Sequence, residues 1–165
     1  MKNILIIGAG RSSSSLIQYL LNKSDQEHLK ITIGDLSLAL AEKKANHHPN
    51  AKPIFLDIQN VAQRQNEIQN ADIVISMLPA HLHIEVARDC ISFKKNMVTA
   101  SYISNEMKSL DALAKENGVL LLNEIGLDPG IDHMSAMKII HEIEDKGGKM
   151  ILFESFCGGL VAPES

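Results

Sequence analysis

Cysteine is nearly absent. Cys90 and Cys157 are the only two in 165 residues, and their wide separation excludes a disulfide framework. Each reads as a reduced, half-buried thiol. The seven histidines supply no metal pattern: His47 and His48 fall in a polar connection, and His81 and His83 flank Leu82 without a third ligand at a usual spacing, so no metal is expected. Positive charge is also short. Sixteen basic against 20 acidic residues give a net charge of −4, which leaves no electrostatic footprint for nucleic acid or an anionic membrane, and neither is expected as a partner. No apolar run approaches the roughly 20 residues that cross a bilayer. Met1-Lys2-Asn3 leads straight into a short strand rather than a signal-peptide core, and the expected location is the cytoplasm.

What remains is an ordinary globular composition, 45% apolar, with length for one domain and a real core. Short β-branched runs at Ile4–Ile7, Ile31–Ile33, Ile54–Leu56, Ile73–Met77, Met97–Ala100 and Val119–Leu122 show little polar alternation, as strands buried on both faces do. Between them, Ser12–Leu21, Leu38–His47, Val61–Gln69, Leu82–Ser92 and Met107–Glu116 have helix-length amphipathic patterns. The repeating unit is βαβ, which predicts an α/β fold with a doubly wound parallel sheet, Rossmann-like in character.

The pattern changes at residue 126. "GLDPGIDH" is rich in turn residues and precedes a predicted helix over His133–Lys146, capped by Asp132, then a Gly147-Gly148 stop and a strand over Met150–Phe156. Residues 1–125 read as a dinucleotide-binding domain and 126–165 as the truncated start of a substrate domain. We therefore expect a fragment of a longer protein, inactive by itself.

The stretch "IGAGRSSSS" closes the first strand. In a dinucleotide loop the first glycine makes the turn, the second admits the pyrophosphate backbone, and the third position packs helix against strand. Gly8 and Gly10 fill the first two, and Ser13 the third with slight crowding. Arg11, Ser12 and Ser13 stand at a helix N-terminus, which favours a phosphate. Asp35, just past the second strand, suits the adenosine ribose hydroxyls and would repel a 2′-phosphate, so NAD is expected over NADP, although either is admitted. As an alternative, Asp35 is a helix-initiating acid. Asp57 follows the third strand near the expected adenine region, with a solvated loop acid as the equal alternative. Ser76, Leu78 and Pro79 of "ISMLPAH" lie at the carboxyl edge, where such folds hold ligands.

"TASYIS", "NEIGLDPGIDHMSAMKIIHEI" and "GGKMILFESFCGGLVAPES" resemble, in order, the saccharopine dehydrogenase family in its L-glutamate-forming branch. "DIVISMLPAHLH" stands in the expected place. The resemblance implies a nicotinamide-dependent oxidoreductase of lysine metabolism that interconverts saccharopine with L-glutamate and aminoadipate semialdehyde, through hydride transfer at a C–N bond. It also implies a longer chain, with a homodimer as one expected state. By the same resemblance Ser101, Tyr102, Leu127, Asp128 and Pro129 contact the amino-acid substrate, and Tyr102, Asp128 and Cys157 line the catalytic centre. Asp35 stands where NADP-using relatives often carry arginine.

Each of these residues has a plainer role as well: Asp128-Pro129-Gly130 is a turn sequence, Tyr102 a boundary phenol, Cys157 a packing thiol. Two other functions stay open at this point. One is a related reductive-amination enzyme, such as a carboxynorspermidine-type dehydrogenase, and the other is a non-enzymatic nucleotide-binding domain.

Overall fold

The computed structural model describes residues 1–156 and 158. Six strands form one sheet: β1 (Lys2–Ile7), β2 (Leu29–Asp35), β3 (Ala51–Phe55), β4 (Ile73–Ser76), β5 (Asn96–Thr99) and β6 (Leu121–Leu122). They run parallel in the order β3-β2-β1-β4-β5-β6. The helices are α1 (Ser14–Lys23), α2 (Leu38–Ala45), α3 (Val61–Gln69), α4 (His83–Ser92), α5 (Asn105–Ser109), α6 (Asp111–Glu116) and α7 (Ile131–Asp145). This is the expected doubly wound α/β fold. Its strand order reverses between β1 and β4, which opens a crevice beyond their carboxyl ends.

The central strand explains the sheet's sequence character. Leu5 and Ile7 of β1 pack into one core with Val74, Val86 and Met97, while Ile4 and Ile6 point the other way into a second core with Ile17, Ile31 and Ile33. A strand alternates its side chains between two faces, and here both faces are covered by helices, so every buried position from Ile4 to Ile7 is apolar. At the sheet margins that reading fails: Phe55 on β3 and Leu122 on β6 are exposed, because an edge strand is covered less completely than a central one.

Several other expectations need correction. A short 3-10 turn over Arg11–Ser13 precedes α1, so the regular helix begins later than the apolar pattern suggested. The pattern over Met107–Glu116 divides into α5 and α6 at Leu110. Helix α7 starts at Ile131, and its N-cap is Gly130 rather than Asp132. Asp132 instead reaches back from the first turn, its Oδ1 accepting the Gly130 N–H at 2.9 Å. No strand forms over Met150–Phe156; a lone extended segment has no ladder partner to satisfy its backbone. Cys90 is fully buried rather than half-buried, and that burial, with Asp89 beside it, pushes its thiol up to about 12. Among the described residues no helix is long and apolar enough to cross a membrane.

Helices α3 and α4 are joined by a buried ion pair. Arg64 Nε donates to Asp89 Oδ2 at 2.6 Å, its Nη1 donates to the Ile58 carbonyl at 2.5 Å, and Gln65 Nε2 donates to Asp89 Oδ1 at 2.9 Å. Both charges are almost fully enclosed, and Arg64 has one further, longer ion pair, with the half-exposed Glu85 at 3.8 Å, so Asp89 is its main compensation. Asp89→Ala should cost about 3 kcal/mol, since it removes the only buried carboxylate paired with the guanidinium among the described residues, and urea unfolding of the variant would measure the loss.

Candidate functional site

The glycine loop follows β1 and crosses the crevice. Gly8 has φ +110°, and a Cβ there would lie 2.8 Å from the Met77 carbonyl oxygen at the end of β4. Glycine is required by the protein's own backbone at this point. Gly10 differs: its φ of −67° is open to any residue, and a Cβ would meet nothing within 4 Å. Nothing in the described fold asks for glycine at 10, and the space beside it suits a group from outside the chain.

Asp35, at the end of β2, holds this loop in place. Its Oδ2 accepts the Ala9 N–H at 2.7 Å and its Oδ1 accepts the Ser37 N–H at 2.8 Å. The carboxylate thus braces the loop and still lines the cleft next to it. Of the serines, Ser13 is buried and donates to the Gly10 carbonyl at 2.9 Å, so its hydroxyl tightens the turn instead of facing a phosphate. Ser14 donates to the Arg11 carbonyl and receives a bond from Lys44 Nζ of α2. Ser12 and Arg11 are exposed, and Ser12 forms no side-chain bond within the described residues.

Two clefts lie along the carboxyl edge, one on each side of the loop. The first, about 320 Å³, brings together Gly8, Gly10, Asp35, Asp57, Leu78 and Pro79. The second, about 630 Å³, is lined by Ser12, Thr99, Leu127 and Asp128, and Met77 borders both. Six expected cofactor residues therefore share one cavity although they come from four separate stretches of sequence.

The remaining expected residues are more dispersed. Tyr102 is 70% exposed on the loop after β5. Asp128 is exposed at the second cleft, whereas Pro129 is buried and its carbonyl accepts the Gly126 N–H at 2.9 Å, closing the "GLDPG" turn. Ser76 is buried, and its side chain turns inward to His83 at 2.8 Å rather than toward the crevice. Cys157 lies outside the described residues.

Sequence reasoning missed two residues. Lys44 adds a cation beside the serine turn, and only the packing of α2 on α1 brings it there. His83 was set aside as a non-ligand, yet it is 3% exposed and bonded on both ring nitrogens. Burial first, and the neighbouring His81 second, hold its pKa below the usual value. Its sequence signal was a polar residue on the inner side of α4, a side it shares with Asp89.

Residues 4–122 match the family model described as saccharopine dehydrogenase NADP binding domain, and residues 126–165 match the saccharopine dehydrogenase C-terminal domain. A saccharopine dehydrogenase [NADP(+), L-glutamate-forming] of Pyricularia oryzae is 40% identical over 99% of this chain and 36% of its own length. The mitochondrial alpha-aminoadipic semialdehyde synthase of Mus musculus is 38% identical over 99% of the chain and 17% of its own. The apo L-Glu-forming saccharopine dehydrogenase of Saccharomyces cerevisiae superposes with a TM-score of 0.78 at 34% identity, covering 89% of this chain and 32% of that one. The chain thus spans about a third of the length of the fungal relatives it matches.

The two glycines should respond differently to the same change. Gly8→Ala should destabilise the fold by about 2 kcal/mol or more through backbone strain and overlap, while Gly10→Ala should stay within about 0.5 kcal/mol of the parent, as chemical denaturation would show. For His83, protonation is disfavoured in the folded state. The unfolded chain therefore binds more protons below about pH 6.5, and stability falls as pH drops from there through the folded-state value. His83→Gln should flatten that fall when unfolding midpoints at pH 7.5 and 5.5 are compared.

Proposed function

Since the chain belongs to the saccharopine dehydrogenase family, we propose that it forms the dinucleotide-binding part of an enzyme interconverting saccharopine with L-glutamate and aminoadipate semialdehyde. The observation that carries this reading is the free space beside Gly10, flanked by two clefts that share Met77. A dinucleotide needs such a passage: an adenosine pocket, a close backbone approach at the pyrophosphate, and a second pocket where the nicotinamide meets its substrate. When bound, the cofactor supplies the hydride acceptor or donor.

The chain's own residues position the partners. Gly8 and Gly10 shape the passage, with the exposed Arg11 and Ser12 and the nearby Lys44 at the phosphate side. Asp35 and Asp57 face the adenosine side with Leu78 and Pro79 between them. At the second cleft the exposed carboxylate of Asp128 can pair with the secondary ammonium of saccharopine, and Ser101 and Tyr102, which follow the cleft-lining Thr99 and Ala100 on the loop after β5, can hydrogen-bond a substrate carboxylate that extends beyond it. Holding donor and acceptor in contact is the main contribution of such a site. We place the boundary between nucleotide-binding and substrate parts at residue 126, where the "GLDPG" turn leads away from β6. The buried free thiol of Cys90 fits a reducing compartment, and we assign the cytoplasm.

NAD is the proposed cofactor, with NADP as the weaker ligand. The fungal relatives carry NADP(+) in their names. In this chain the end of β2 instead presents the Asp35 carboxylate followed by an exposed Leu36, which offers repulsion and no cation to a 2′-phosphate.

In the full-length protein, L-saccharopine should reduce NAD faster than NADP. Cofactor binding without saccharopine turnover would overturn the assignment. By fluorescence titration NADH should bind about tenfold more tightly than NADPH, about 1.4 kcal/mol. Asp35→Asn should narrow that ratio, and Gly10→Val should weaken both cofactors while leaving the fold intact.

A further inference from the structure

Beneath the second cleft, four polar side chains meet that the proposed reaction does not use as a group. The His83 ring lies between Ser76, its Nδ1 2.8 Å from Ser76 Oγ, and Ser101, its Nε2 2.7 Å from Ser101 Oγ. Thr99 Oγ1 is 3.3 Å from the same Nε2 and also accepts the Ser101 N–H at 3.3 Å. Ser76, His83 and Thr99 are buried, and Ser101 alone is partly exposed. The cluster therefore runs from the sheet interior to the surface and ends on a hydroxyl beside Tyr102.

We infer that His83 is a positioning residue that fixes the place and the hydrogen-bonding polarity of the Ser101 hydroxyl, so that Ser101 donates to a carboxylate of the amino-acid substrate. The inference rests on the functional reading above, and it adds a residue and a direction to that site.

The direction follows from counting donors. A neutral imidazole has one N–H and one lone pair in the ring plane. If Nδ1 carried the hydrogen, Ser76 would accept it and its own buried O–H would have no partner among the described residues. Ser101 and Thr99 would then compete for one lone pair on Nε2. With the hydrogen on Nε2, Ser76 donates to Nδ1 and Nε2–H donates to Ser101. The buried Thr99 O–H then has no acceptor among the described residues, but Thr99 lines the second cleft, where a bound group can accept it, and Ser76 does not line that cleft. Each arrangement leaves one buried donor without a protein acceptor, which is costly, and the second is favoured because there that donor borders the cleft. It leaves the Ser101 O–H free to point outward, as a donor to an acceptor group.

The geometry also restrains the backbone. The carbonyl of Ser101 accepts the Glu124 N–H at 3.1 Å, and the Thr99 carbonyl accepts the Ile125 N–H at 3.3 Å. These bonds tie the segment after β5 to the approach of the "GLDPG" turn. Ser101 follows Thr99 and Ala100, which line the cleft together with Asp128, so these bonds set the place of its hydroxyl relative to that cleft.

The test uses the full-length protein, three single variants and one double variant. His83→Asn keeps an amide near the Nδ1 position and loses the reach to Ser101; His83→Gln restores a group near Nε2. His83→Asn and Ser101→Ala should each raise KM for saccharopine about tenfold, with NADH affinity within about twofold of the parent. The double variant should be no worse than either single one, because both act through one interaction. His83→Gln should recover most of the loss. Additive effects in the double variant, or an equal loss of NADH affinity in His83→Asn, would overturn the inference. A substrate-free arm reads the side-chain nitrogen signals of His83 by NMR. A neutral ring protonated on Nε2, perturbed by Ser101→Ala, supports the relay, while an Nδ1–H ring overturns it. A parent protein that shows the relay by NMR but does not oxidise saccharopine would defeat the functional reading alone, so the two failures are distinguishable.

Discussion

Gly8 lies so close to the end of β4 that a single added carbon would overlap the Met77 carbonyl, and around this contact the ends of three strands converge. The Gly8 N–H is given to the Gly34 carbonyl of β2 at 2.8 Å, and the Met77 N–H to the Ile7 carbonyl of β1 at 2.8 Å. The loop cannot shift without disturbing both neighbours of β1. Because β2 and β4 leave on opposite sides of β1, the pinned loop divides the carboxyl edge into two clefts. Their placement on either side of Gly10 is a consequence of parallel pairing and one close backbone approach.

The same edge shows how polar groups are apportioned between structure and site. Asp35 spends both carboxylate oxygens on backbone N–H groups of the loop and of the start of α2, yet it also borders the first cleft. Ser13 spends its hydroxyl on the loop carbonyl, and Ser76 spends its own on His83. Residues that look equivalent in "RSSSS" or "ISMLP" therefore differ in what they can offer a ligand. Burial decides: a hydroxyl enclosed in the core must find a protein partner, and only those at the rim, such as Ser12 and Ser101, retain capacity for something bound.

Beyond residue 126 the physics changes. Helix α7 has no buried residue, and Ile131, Met134, Met137 and Ile139 are exposed along it. The turn that launches it is well determined: Gly130 has φ +146°, and a Cβ there would fall 2.2 Å from the Gly126 carbonyl oxygen. Local chemistry therefore determines how the segment leaves the sheet, while its apolar surface has no cover among the described residues.

Much of this was legible in the order of amino acids. Apolar runs without alternation specified strands covered on both faces, the spacing between them specified parallel crossovers, and "IGAG" with Asp35 specified where the crevice would open. Those features are local or periodic, and a parallel sheet with helical connections converts them into architecture in very few ways. Other features were not legible because they depend on which side of a buried surface an atom falls. Nothing in "LPAHLH" separates His81, which is exposed, from His83, which is enclosed between Ser76 and Ser101. Nothing in the run over Met150–Phe156 reveals that it has no neighbouring strand among the described residues. The amino-acid order determined the fold, the glycine loop and the family. Only the tertiary structure decided which hydroxyls remain free, where Lys44 stands and what His83 touches, because hydrogen-bond partners far apart in sequence are chosen by packing and not by spacing.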